Sequence, residues 1–141
     1  MSTPTTAPLL SILIPVFNFD CSVLIAALAR QGEKLKALGL ANYEIILADD
    51  CSTDQATIKK NLAAIAACKG CRYLSQNEHQ GRARNRNAAI RVAAGDWFII
   101  IDCDALPPDE LFLRRYLDAR HQAPVVVGGL LTPHHAPRGC E

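Results

Sequence analysis

Apolar runs rich in Ile, Val and Leu alternate along the chain with alanine-rich segments of helical period. The runs are Leu9 to Phe17, Tyr43 to Asp49, Cys71 to Ser75, Trp97 to Asp102 and Val125 to Gly129. Their continuous apolarity predicts strands buried on both faces. Their alternation with helical stretches predicts an α/β fold, a mostly parallel central sheet with helices on both faces. The first helix is expected over about Cys21 to Leu38, with Val23, Leu24, Ala27, Leu28, Leu35 and Leu38 on its apolar stripe and Gly39 as a stop. A second opens at Ser52-Thr53-Asp54-Gln55, where Ser52 and Gln55 have capping-box spacing. A third runs from Arg82 to Ala94 with Gly95 as its C′ residue, and a fourth starts near Pro107-Pro108-Asp109-Glu110. The element order is therefore βαβαβαβαβ. Residues 1–8 read as a polar tail, 9–131 as the α/β domain, and 132–141 as the start of a further segment.

Composition narrows the function classes. The 141 residues suit one domain, and a net charge of +1 with no basic stripe argues against a nucleic-acid partner. Met1 to Pro8 lacks a basic segment followed by an apolar one, and no apolar run approaches the ~20 residues that span a bilayer. A cytoplasmic chain without a transmembrane segment is expected. The six cysteines, Cys21, Cys51, Cys68, Cys71, Cys103 and Cys140, then read as reduced thiols. Cys68 and Cys71 have C-x-x-C spacing but lack the second pair of a zinc site and the helix-opening position of a redox site.

Candidate chemistry lies where the strands end. Ligands of open parallel sheets bind outside the carboxyl ends of the strands, near the reversal of strand order. The first four predicted strands end in Asn18, in Asp49 and Asp50, in Gln76 and Asn77, and in Asp102 and Asp104. In extended backbone Asp102 and Asp104 would face one side while Cys103 turns away. Two close carboxylates repel each other, and a hard divalent cation, Mg2+ or Mn2+, relieves that repulsion. The alternative is that these acids cap a helix or lie solvated. Asp49 and Asp50 are read either as hydrogen-bond acceptors for a base or ribose, or as turn residues serving the next helix. Arg82, Arg84 and Arg86 crowd a helix N-terminus, where positive side chains oppose the dipole; they read either as partners of an anionic phosphate or as a solvated basic face.

These segments together resemble family 2 glycosyltransferases, over nearly the whole chain. Ser11 to Asn18 (SILIPVFN) is similar to that family's opening strand, and Glu44 to Asp54 (EIILADDCSTD) to its acidic strand end. Arg86-Asn87 matches its Arg-Asn pair, and Gly95-Asp96-Trp97 leads into the Asp-x-Asp strand as the family does. The resemblance implies a GT-A fold and inverting transfer of a sugar from a nucleoside-diphosphate donor, a UDP-sugar above all, in cell-surface polysaccharide or glycoconjugate synthesis. It implies a glycan or lipid-linked acceptor, with peripheral membrane association of the whole protein in the latter case. Pro15, Phe17 and Asn18 would line the nucleoside pocket, and Asp50 would recognise the base with Asp49 beside it. Arg86 would lie near the base or phosphates, Asp102 near the ribose and metal, and Asp104 on the metal. Two departures stand out: Cys51 replaces the family's usual glycine, and Phe17 lacks the hydroxyl of the commoner tyrosine.

The family's catalytic base comes well after the Asp-x-Asp strand, and 37 residues follow Asp104. The base is therefore expected beyond Glu141, and the chain is expected to be a truncated portion that transfers no sugar by itself. His134 and His135 read as loop residues. Two rivals remain: a haloacid-dehalogenase-like phosphatase, whose Asp-x-Asp also follows an apolar strand, and a noncatalytic module that binds nucleotide sugars. Nothing in the residues sets an oligomeric state.

Overall fold

The computed structural model describes residues 7–124. Four strands, β1 (Leu9–Val16), β2 (Asn42–Asp49), β3 (Cys71–Ser75) and β4 (Trp97–Ile100), alternate with four helices, α1 (Ser22–Ala37), α2 (Gln55–Ala66), α3 (Arg82–Val92) and α4 (Phe112–Ala119). The strands form one sheet in the order β3-β2-β1-β4, and every pairing is parallel. The fifth predicted strand, Val125 to Gly129, and the boundary after residue 131 lie outside the described residues.

Side-chain alternation along the strands divides the core into two layers. Leu10, Ile12, Ile14 and Val16 of β1 and Tyr43, Ile45 and Leu47 of β2 join Leu24, Ile25 and Leu28 of α1, Ile65 of α2 and Phe112, Leu113 and Leu117 of α4. The opposite face is thinner: Leu13, Ile46 and Ala48 meet Ala89 of α3, with Leu74, Ile90 and Ala93 around them. The connections β1-α1-β2-α2-β3 thus run on one face, whereas α3, which carries the chain back across β2 and β1 to β4, lies on the other. Reversal of strand order falls between β1 and β4, and the carboxyl ends of all four strands share one edge.

Several sequence expectations are corrected. The stripe of α1 is Leu24, Ile25, Leu28, Ala29 and Leu35, while Val23 and Leu38 are exposed: a 100° helical step carries Val23 off the core face, and Leu38 is the cap after the helix has ended. Helix α2 is capped by Asp54, whose carboxylate accepts from Ala56 N at 3.1 Å, and not by Ser52, whose hydroxyl is taken by Asp49. Helix α4 starts at Phe112, later than expected. Asp109 is held outside it by Leu111 N and by both Arg115 amino groups, and Glu110 by Arg30 and Lys34. Strand β4 is covered on one face only: Trp97 and Ile99 are half-buried against the main core, while Phe98 is 44% and Ile100 46% exposed on the side of α3, which covers β1 and β2 but not this edge.

Gly95 is likewise not a helix C′ residue, since α3 ends at Val92 with Ala93 as an extended cap. Its role is steric. A Cβ there would sit 2.3 Å from Ser11 Oγ and 2.8 Å from Ser11 N. Gly95 N donates to Ser11 Oγ at 2.8 Å, and Ser11 Oγ donates to Glu44 Oε1 at 2.7 Å. Burial opposes ionisation of Glu44, but these donors, Ala94 N and Arg72 outweigh it and hold its carboxyl below the usual range.

Candidate functional site

The two adjacent acids at the end of β2 do different work because successive residues of extended chain face opposite sides. Asp49 turns toward the α1 layer, where Oδ1 accepts from Ser52 N at 3.0 Å and from the Ser52 hydroxyl, and Oδ2 accepts from the Tyr73 phenol. Burial and this carboxylate push the Tyr73 phenol above its usual range. Asp49 is therefore enclosed by the protein itself. Asp50 turns toward α3, where Oδ1 accepts from Gln80 N at 2.7 Å and Oδ2 from Gly81 N at 2.9 Å. The loop between β3 and α3 is thereby tied to β2.

The turn after Asp50 and the end of β1 brace each other. Asn18 Oδ1 accepts from Thr53 N at 2.8 Å and Asp54 N at 2.9 Å, and its own N donates to Ser52 Oγ at 2.9 Å. Asn18 has a φ of 48° and Cys51 one of 62°. Cys51 stands where the resembled family has glycine, so this chain keeps the left-handed turn without the residue that adopts it most readily. Beside Asn18, Pro15 is half-buried and Phe17 is 45% exposed, with the Phe17 ring 4.7 Å from that of His79 at an interplanar angle of 56°.

At β4 the strand stops before the two candidate metal acids. Ile101 N still reaches Leu13 O at 3.0 Å, but Asp102 begins a turn in which its carbonyl accepts from Ala105 N at 3.0 Å. Asp102 is exposed and Asp104 half-buried. Cys103 is half-buried and packs against the main core. The expected separation of the acids from Cys103 is thus produced by a turn and a half-buried thiol, not by continued strand. Arg82, Arg84 and Arg86 are all exposed at the start of α3 and make no ion pair among the described residues. Buried Asn85 between them donates to Ala48 O at 2.8 Å and anchors the helix on the sheet.

Asn18, Asp50, Asp102 and Asp104 therefore share the carboxyl edge, with Arg86 on α3, while Asp49 supports the edge from inside. The donor set of Asp102 and Asp104 is oxygen only, which suits Mg2+ or Mn2+ better than zinc. No cluster of three or more His, Cys, Asp or Glu side chains fit to hold a metal occurs among the described residues. Such cations are commonly held by one or two carboxylates together with substrate phosphates and water, so a pair fits them. Sequence reasoning missed His79; its place in the polar loop before Gly81 was the one available signal.

A profile of glycosyl transferase family 2 matches residues 11–134. The undecaprenyl-phosphate 4-deoxy-4-formamido-L-arabinose transferase of Aeromonas hydrophila is 36% identical over 126 residues, which cover 88% of this chain and 37% of that enzyme. Among solved structures, TarS 1-349 of S. aureus in complex with UDP-GlcNAc matches with a TM-score of 0.64 at 20% identity, over 80% of this chain and 31% of that one. The mannosyltransferase PcManGT of Pyrobaculum calidifontis, in complex with GDP-Man and Mn2+, matches with a TM-score of 0.61 at 22% identity, over 78% of this chain and 31% of that one. The chain thus spans about a third of the length of each of these relatives. Its parallel sheet is that of the GT-A fold. The phosphatase reading falls away, and the chain belongs to glycosyl transferase family 2.

Proposed function

We propose that the carboxyl edge of the sheet is the donor site of an inverting glycosyltransferase that takes a nucleoside-diphosphate sugar, a UDP-sugar above all, and a divalent cation. The observation that carries this reading is topological. Parallel strands in the order β3-β2-β1-β4 put Phe17, Asn18, Asp50 and the Asp102/Asp104 turn on one edge, at the reversal between β1 and β4. Solved relatives bound to UDP-GlcNAc, and to GDP-Man with Mn2+, support the ligand classes.

In this reading Phe17 and Pro15 give the nucleoside an apolar wall, and Asn18 holds the β1 end in shape. Asp50 serves the base end of the pocket, Arg86 the phosphates, Asp102 the ribose and metal, and Asp104 the metal. A bound cation would supply positive charge against the departing diphosphate. The acceptor is a glycan or lipid-linked hydroxyl, a class to which the undecaprenyl-phosphate in the name of one relative points. With such an acceptor the whole protein would meet the membrane peripherally, although no described helix is long and apolar enough to cross it. Synthesis of cell-surface glycan follows from the same acceptor. The unbridged cysteines among the described residues agree with the cytoplasmic location included in the proposal. The catalytic base is assigned to no residue among 7–124. A noncatalytic binding module would share the donor site and differ in lacking turnover in the whole protein.

The test is calorimetric titration of UDP in the presence and absence of Mn2+. Wild type is expected to bind more tightly with Mn2+, and Asp104→Ala to lose that gain, by about tenfold or more for one charge-assisted contact. Equal Mn2+ dependence in the variant would remove Asp104 from the metal.

A further inference from the structure

Among the described residues, His79 is an aromatic, titratable side chain at the base end of this edge that the roles above leave unused. Its Nδ1 lies 3.1 Å from Asp50 Oδ2 and 3.1 Å from the Asp50 backbone oxygen. Both neighbours are acceptors, which favours the tautomer with its proton on Nδ1, and that tautomer offers Nε2 as a lone-pair acceptor. The side chain of His79 is 59% exposed, against 5% for Asp50. A ligand arriving from solvent therefore meets the imidazole before it meets the carboxylate. Asp50 also fixes the loop that carries the ring, through Gln80 N and Gly81 N. The exposed Phe17 ring lies beside the imidazole at 4.7 Å.

We propose that His79, oriented by Asp50, is the residue that selects the nucleobase: Nε2 accepts the ring N–H of a lactam or imide base while Phe17 covers the base face. The inference rests on the nucleotide-binding reading above and changes how Asp50 acts within it. Asp50 becomes a positioning residue that sets the tautomer of the group touching the base. Uracil, thymine and guanine carry a ring N–H on the pairing edge. Cytosine and adenine present a bare ring nitrogen there, which would set one acceptor against another. A polar site left unpaired by the wrong ligand discriminates more strongly than a change of apolar contact does.

The experiment compares UDP, GDP, CDP and ADP by calorimetry on the full 141-residue chain at one Mn2+ concentration, so that the diphosphate and cation contribute equally. UDP and GDP are expected to bind about tenfold or more tightly than CDP and ADP, the weight of one hydrogen bond. His79→Ala, at an exposed position, should keep the fold and the diphosphate contribution while the four affinities converge to within about twofold of one another. Imidazole nitrogen NMR gives an independent reading: His79 should hold its proton on Nδ1 in the free chain, and its Nε2 signal should move with UDP and not with CDP. An unchanged ranking of bases in His79→Ala, or a proton on Nε2 in the free chain, would overturn the role of His79 and leave the donor site standing. Failure of wild type to bind any of the four nucleotides would overturn both.

Discussion

Asp50→Ala is expected to destabilise the fold by about 3 kcal/mol, because hydrogen bonds to a buried charged acceptor are worth ~1.5–3 kcal/mol each and their donors are left without partners. The Asp50 side chain is 5% exposed, and its carboxylate receives the amides of Gln80 and Gly81 as well as His79. Gln80 and Gly81 are half-buried, so water replaces the carboxylate at their amides only in part, whereas exposed His79 loses least. Asp50→Asn keeps one acceptor oxygen but turns an NH2 group toward a donor, so a smaller loss, on the order of 1–2 kcal/mol, is expected. Urea unfolding followed by circular dichroism measures both. A loss below about 0.5 kcal/mol for the alanine variant, the size of an ordinary surface substitution, would contradict the bracing role. The consequence for function is that a binding defect in Asp50 variants has two sources, a loosened loop and a misoriented His79. Protein stability and base preference separate them.

Gly95→Ala is expected to cost about 2–3 kcal/mol, toward the upper end of overpacking penalties. The added methyl would meet Ser11 Oγ at 2.3 Å, Ser11 N at 2.8 Å and Leu9 O at 3.0 Å. The serine hydroxyl can rotate away, but the two backbone atoms belong to a strand paired on both sides and cannot. Ser11→Ala should therefore rescue only part of the loss, and a double-mutant cycle would read a coupling of roughly 1 kcal/mol between the two positions. Gly39→Ala provides the contrast. Its Cβ would meet nothing within 4 Å, and the substitution pays only for a φ of +69°, about 1 kcal/mol. Full additivity of Gly95→Ala and Ser11→Ala would show that the Ser11 hydroxyl takes no part in the clash.

The comparison of these glycines bears on how much the residues alone could reveal. The helix stop at Gly39 follows from local backbone preference, and the sequence pattern placed it where a left-handed residue occurs. Gly95 looked like a second example, yet its reason is the approach of a distant strand, which no local pattern encodes. Ser52 was misread for a related cause: its spacing to Gln55 suits a cap, but Asp49, folded back over three residues, takes its hydroxyl first. The continuous apolar run at Trp97 suggested burial on both faces, whereas the described residues supply a helix over only one face of β4. The strands, their parallel arrangement and the polar carboxyl edge were legible because they rest on period and composition. The division of labour between Asp49 and Asp50 was not, since it depends on which layer each faces across the sheet. His79 was hidden because its meaning comes from Asp50 and Phe17, distant from it in sequence.

If this edge holds a nucleotide and a cation together at the Asp102/Asp104 turn, paramagnetic broadening reads it directly. With UDP bound, substoichiometric Mn2+ should selectively erase the amide signals of Asp102, Cys103 and Asp104, while Gly39 and Gly70, before β2 and β3 at the opposite edge, stay sharp. Broadening centred away from residues 102–104, or the same pattern in Asp104→Ala, would contradict it.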